Sequence, residues 1–168
     1  MFINRLVLLI LFFSSYAYAD LNIQNWKTPN GTQVYFVENH SLPVVDVNVM
    51  FSAGSVRDSK QTNGVASMTN HLMFSGSAGM SEQKLMNSFA DIGAQIGSNF
   101  NRDQSSFSLR TLSEEKSEAI ELFKIVLQKP NFDKEILDRE AKRYVANIAQ
   151  AETMPEAIAT KRFMKSIY

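Results

Sequence analysis

Apolar and polar side chains alternate from Val44 to Phe51, with Val45, Val47, Val49 and Phe51 on one side and Asp46 and Asn48 on the other. That two-residue period describes a strand with one buried face. Gln33 to Glu38, after the turn signal Pro29-Asn30-Gly31, reads as another strand. The turn residues His40 to Pro43 predict that the two pair as an antiparallel hairpin. Ser105 to Leu112 alternates again, with Phe107 and Leu109 directed to a core. Between these strands the apolar period becomes helical. Gly64 to Phe74 carries Val65, Met68, Leu72 and Met73 at helical spacing. Ser81 is placed to cap a helix with Leu85, Met86, Phe89 and Ile92, which Gly93 closes.

Three further helices follow. Ser113 precedes one whose stripe is Ile120, Phe123 and Leu127, with Glu114 and Glu115 in its first turn and Pro130 as its stop. Asp133 opens the next, with Ile136, Leu137, Ala141, Tyr144, Val145 and Ile148 predicted inward. Thr153-Met154-Pro155-Glu156 has the form of a capping box and starts a last helix running to Tyr168. The order strand–strand–helix–helix–strand–helix–helix–helix predicts an α+β fold, an antiparallel sheet covered by helices on one face. A helical pattern that reaches the final residue predicts a domain truncated at its C terminus. Phe163, Ile167 and Tyr168, and a sheet edge at Ser105–Leu112 with residues 97–103 before it, are then expected to be open to association.

Composition narrows the chemistry. The 168 residues hold 17 basic and 17 acidic side chains, two histidines and no cysteine. A formal charge of zero supplies no basic face for nucleic acid. Without thiols there is no disulfide framework, thiolate metal site or cysteine nucleophile, so any metal would have to use His, Asp, Glu or weaker oxygen donors. The chain opens with one positive charge at Arg5, an apolar run from Leu6 to Phe13 and the small-x-small sequence Ala17-Tyr18-Ala19. That run is far shorter than the ~20 residues of a membrane-spanning helix. Residues 1–19 therefore read as a cleaved secretory signal, with a mature chain from Asp20 exported to a bacterial periplasm and no stable membrane span after cleavage.

The chemically informative stretch is Gly64-Val-Ala66-Ser67-Met-Thr-Asn70-His71-Leu-Met-Phe74-Ser-Gly76-Ser77. It resembles the helix of the insulinase/pitrilysin family of inverted-motif zinc peptidases, with the pattern G-x-A-H-x-x-E-H-x-x-F-x-G-[TS]. Phe51-Ser-Ala-Gly54-Ser55-Val-Arg57-Asp58 is similar to that family's strand end and turn. Residues 93–103 resemble its substrate-side edge region, and Glu140 to Ile148 resemble the helix supplying a third zinc ligand. In an H-x-x-E-H helix, positions i and i+4 share a face, so both imidazoles reach one metal while the carboxylate activates water.

The resemblance implies that Ser67 stands where the first His ligand belongs, Asn70 at the general base, His71 at the second His and Asn147 at the ligand Glu. Glu140 takes the place of the family's supporting carboxylate, and Gly97, Ser98, Asn99 and Phe100 the substrate-binding strand. An amide accepts no proton from water near neutral pH, and neutral Ser and Asn oxygens are weak zinc donors. No catalytic residue, no metal ligation and no cofactor are thus expected, although the family uses zinc. Taken alone, His71 reads as a hydrogen-bonded core or cleft histidine, His40 as solvated, and Glu140 with Arg139, Lys142 and Arg143 as a salt-laced helix face. Ser67 and His71 lack the acidic orienter and oxyanion motif of a serine nucleophile.

The expected architecture is the N-terminal part, residues 20–168, of a clamshell-type metallopeptidase domain. The expected function is that of a pseudo-peptidase: a structural or substrate-binding subunit that partners an active peptidase of the same family or a second copy of itself, and that binds peptides. An active zinc endopeptidase with unusual ligands is one alternative. A stand-alone periplasmic peptide-binding or chaperone-like module that adds strands at its edge is another.

Overall fold

The structure, a computed structural model, describes residues 22–167; the signal segment, the cleavage point before Asp20, and Tyr168 lie outside the described residues. The chain divides into two compact units between Leu42 and Pro43.

In the first unit, β1 (Ile23–Lys27) pairs antiparallel with β2 (Gln33–Val37), Ile23 opposite Val37 and Lys27 opposite Gln33. Gly31 adopts φ +84° in the connecting turn, and its N–H donates to the Thr28 carbonyl at 2.8 Å. Within this unit the partner of residues 33–37 is β1, where the sequence predicted a hairpin with residues 44–51. The Pro29-Asn30-Gly31 turn joins β2 to the strand before it, because glycine supplies the left-handed conformation a tight hairpin needs. Ile23–Lys27 (IQNWK) lacks regular alternation, so its strand was not legible.

In the second unit, β3 (Val44–Phe51), β6 (Gln95–Phe100) and β7 (Ser105–Leu112) form one antiparallel sheet in the order β3-β7-β6. The first helix, α1 (Val65–Leu72), follows a single 3₁₀ turn at Ser55–Arg57. The short strands β4 (Gly76–Ser77) and β5 (Met80–Ser81) then lead into α2 (Glu82–Asp91). After the sheet come α3 (Lys116–Gln128), α4 (Lys134–Ala151) and α5 (Pro155–Ile167). Helices α1, α2 and α3 pack on one side of the sheet. The other side carries Asp46, Asn48, Ser108 and Arg110 in solvent, which is the one-faced α+β arrangement the alternation predicts.

The core forms where the stripes meet: Leu85 and Phe89 from α2, Phe107 and Leu109 from β7, and Ala119, Phe123 and Val126 from α3. Burial of each large side chain contributes roughly 1.5–3 kcal/mol. Ser81 caps α2, its Oγ accepting from the Lys84 N–H at 3.3 Å. Asp133 caps α4, accepting from the Glu135 and Ile136 N–H groups.

Five further expectations need correction. Strand β7 is central, not an edge; the edges of this sheet are β3 and β6. Ser113 does not cap α3. Its N–H donates to Pro43, extending the β3–β7 ladder, so the helix starts two residues later, behind Glu115. The buried stripe of α3 is rotated accordingly to Ala119, Phe123 and Val126, with Ile120 exposed. On α4, Ile136, Ala141 and Tyr144 are half-buried, while Leu137, Val145 and Ile148 are exposed, since this helix turns Glu140 inward. Thr153 does not close a capping box; its hydroxyl donates back to the Gln150 carbonyl at 2.7 Å.

Candidate functional site

Helix α1 carries the candidate residues, and a loop fixes where it begins. The N–H groups of Gly54, Ser55 and Val56 donate to the carbonyls of Asp103, Asn101 and Arg102, stitching this loop to the β6–β7 turn. The backbones approach so closely that a Cβ on Gly54 would lie 2.3 Å from the Arg102 carbonyl. Only glycine fits. The Asp58 carboxylate then accepts from the N–H groups of Gly64 (2.9 Å) and Ala66 (3.2 Å), holding the helix's unpaired donors and complementing its dipole. Sequence reading placed Gly54 at a strand end and Asp58 in the turn after it; their roles are a close approach and a cap.

One turn on, Asn70 is buried, and its Nδ2 donates to Ser105 Oγ at 2.7 Å and to the Asn99 carbonyl at 3.3 Å. The side chain at the general-base position thus ties α1 to both β6 and β7. His71, on the neighbouring helix face, meets α4. Its Nε2 lies 3.1 Å from Glu140 Oε2 and 3.2 Å from an Arg143 Nη2, and its ring leans against Tyr144 with centroids 5.7 Å apart. Arg143 bonds the same Glu140 oxygen at 2.6 Å, and Arg139 Nε donates to the other at 3.0 Å.

Glu140 is only 4% exposed, yet three nitrogen groups surround it. The hydrogen bond from Arg139 chiefly holds its carboxyl below the ordinary carboxylate value; His71 and the Arg143 charge act in the same direction, and desolvation opposes them.

These groups line a cleft of about 220 Å³, completed by Phe74, Ser75, Glu82 and Met86. Ser67, Asn70 and Asn147 are not among its walls: Ser67 is half-buried on α1, and Asn147 is exposed on α4. Of the proposed site positions, the cleft brings His71 and Glu140 together. The substrate-strand positions 97–100 lie on the β6 edge, with Ser98 and Asn99 exposed and Gly97 and Phe100 half-buried. Arg143 enters the site as a direct partner of His71, where sequence reading gave it only a place on a salt-laced helix face. The available signal was its spacing, three residues after Glu140 on a helix. Among the described residues, no three His, Asp or Glu side chains gather as a metal site would require. A larger recess, about 380 Å³, opens on the sheet's solvent side, where Arg110 forms a two-pronged bond to Asp46 at 2.7 and 2.8 Å; it lies on the opposite side of the sheet from His71.

An antiparallel sheet layered by helices, with a helix of the G-x-A-x-x-x-x-H-x-x-F-x-G form crossing it, defines a peptidase-type α+β domain. Residues 33–168 match the insulinase family (peptidase family M16), and the chain belongs to it. A solved M16 inactive domain from Pseudomonas fluorescens superposes with a TM-score of 0.82 at 34% identity, over 86% of this chain and 35% of that one. A protease from Helicobacter pylori shares the fold, with a TM-score of 0.71 over 82% of this chain and 34% of that one, at 18% identity. Among curated proteins, a probable mitochondrial-processing peptidase subunit beta of Arabidopsis thaliana is 25% identical over 77% of this chain and 24% of its own length. The uncharacterized zinc protease YmxG of Bacillus subtilis is 22% identical over 87% of this chain and 36% of its own length. The chain thus spans about a quarter to a third of these relatives.

Proposed function

We propose that this protein is a non-catalytic member of the insulinase family, a pseudo-peptidase that binds peptides and supports an active subunit of the same family. The observation that carries this reading is how His71 and Asn70 are used. One imidazole nitrogen faces both a carboxylate and a guanidinium. In the Nε2–H tautomer that nitrogen donates to Glu140; in the other it accepts from Arg143. Either way it has no lone pair for a metal. Asn70 spends its amide on Ser105 and Asn99, and an amide has no basic lone pair to activate water. Ser67 and Asn147 add only neutral oxygen or amide donors, which does not fit a stable zinc site.

Two similarities favour the same reading. The Pseudomonas fluorescens relative is described as an inactive domain, and the Arabidopsis thaliana relative is by name one subunit of a peptidase. The β6 edge, with the backbone of Gly97 to Phe100, is suited to pair with an extended peptide. The leader at residues 1–19 supports export to a periplasm. Among the described residues no helix is long and apolar enough to cross a membrane.

The test combines zinc calorimetry with a peptidase assay on the exported protein. The expected result is no submicromolar zinc isotherm and no cleavage of unstructured peptides, with or without added zinc. Turnover abolished by His71→Ala would overturn the proposal.

A further inference from the structure

We propose that Arg143 is a built-in cation, its guanidinium placed at the His71 nitrogen that would face a metal and paired with the supporting carboxylate Glu140, and so excluding metal from the cleft. This inference rests on the non-catalytic reading but concerns a different residue from the substituted ligands. The family's site is formed by imidazole nitrogen and carboxylate oxygen gathered around a positive charge. Here one ligand imidazole and the supporting carboxylate are still present, and the positive charge beside both belongs to the chain. Arg143 lies 3.2 Å from His71 Nε2 and 2.6 Å from Glu140 Oε2, within hydrogen-bonding reach of both.

Three physical consequences follow. A dication approaching Nε2 would meet a fixed positive charge at contact distance, where repulsion is strong in a partly desolvated cleft. Glu140, the carboxylate best placed to orient His71, is already neutralised by Arg139 and Arg143, so it contributes no net negative charge toward a metal. Finally, a guanidinium keeps its charge at every accessible pH, so no change in acidity opens the site. With Glu140 at 4% exposure, the arrangement has the anion inside and the cation at the mouth, since the Arg143 side chain is 56% exposed. Restoring the missing ligands would therefore be insufficient while Arg143 remains.

The test compares zinc affinity in three repaired proteins. The first carries Ser67→His with Asn147→Glu; the second adds Arg143→Val; the third adds Arg143→Lys instead. The Val form is expected to bind zinc on the order of 100-fold more tightly than the first, and the Lys form to gain far less. Equal affinities in the first and second, including no binding by either, would overturn the proposal.

A second measurement avoids dependence on the repaired fold. In otherwise unaltered protein, the ¹⁵N-labelled His71 ring signals are expected to ignore added zinc, and to move with it in Arg143→Val. Exposed His40 should respond equally in both proteins. A zinc-dependent His71 shift already present with Arg143 in place would also count against it. Peptidase activity in the unaltered protein under chelator would defeat the non-catalytic reading while leaving the Arg143 comparison intact.

Discussion

The loop that introduces α1 and the cleft that α1 faces resemble the same family stretch to very different degrees. In the loop, residues 51–58 keep the pattern, and the reasons are steric and electrostatic. Gly54 has no room for a Cβ against the Arg102 backbone, and Asp58 holds two N–H groups at the helix start. At and beside the cleft, residue types differ at the base and ligand positions, yet the side chain at the base position and the retained histidine both have bonding partners of their own. Asn70 bonds Ser105 and Asn99; His71 and Arg143 converge on Glu140. The difference teaches that the position of the helix and the chemistry of its inner face are separable. Backbone complementarity holds the first, and a handful of polar atoms decides the second.

The largest effect should come from the loop. Gly54→Ala forces two backbones apart and is expected to lose on the order of 3 kcal/mol, measured by chemical denaturation. A loss below about 1 kcal/mol would mean that the loop yields easily and that the contrast is overdrawn.

Asn70→Leu tests whether the base position has become structural. It leaves Ser105 Oγ and the Asn99 carbonyl without their donor in a buried place, and should cost about 1–3 kcal/mol. Hydrogen exchange should rise at the β6–β7 pairing more than elsewhere. An unchanged denaturation midpoint would show that Asn70 is dispensable to the fold.

The smallest effect concerns pH. Because the folded-state pKa of Glu140 is depressed, its contribution is fully present above the ordinary carboxylate value. It disappears as pH falls through the lower, folded value. Glu140→Gln should therefore lower the melting temperature at neutral pH and leave a shallower acid limb than the parent. Parallel acid limbs in the two proteins would mean that the Arg139, Arg143 and His71 partners do not hold this carboxylate in solution.

Period and punctuation made β3, β7, α1 and α2 legible from the chain alone, since each has one apolar face, and β2 was legible from the turn before it and its apolar run. Phe107 and Leu109 were readable as core for the same reason, and the Asp133 cap followed from local chemistry. The family followed from a run of residues whose spacing is specific, and so did the substitution of its polar positions. Partnership between elements was not readable. Alternation states that a strand has a buried side, not which strand lies beside it, so the 33–38 strand was paired forward rather than back, and Ser105–Leu112 was placed at an edge rather than the centre. Nor can a sequence show that Arg143, 72 residues away along the chain, meets His71. That contact depends on how α4 is rotated, and the rotation follows from which side chain the tertiary fold turns inward. Here it was the charged Glu140, against the pull of Leu137, Val145 and Ile148, because two arginines and a histidine were positioned to receive it.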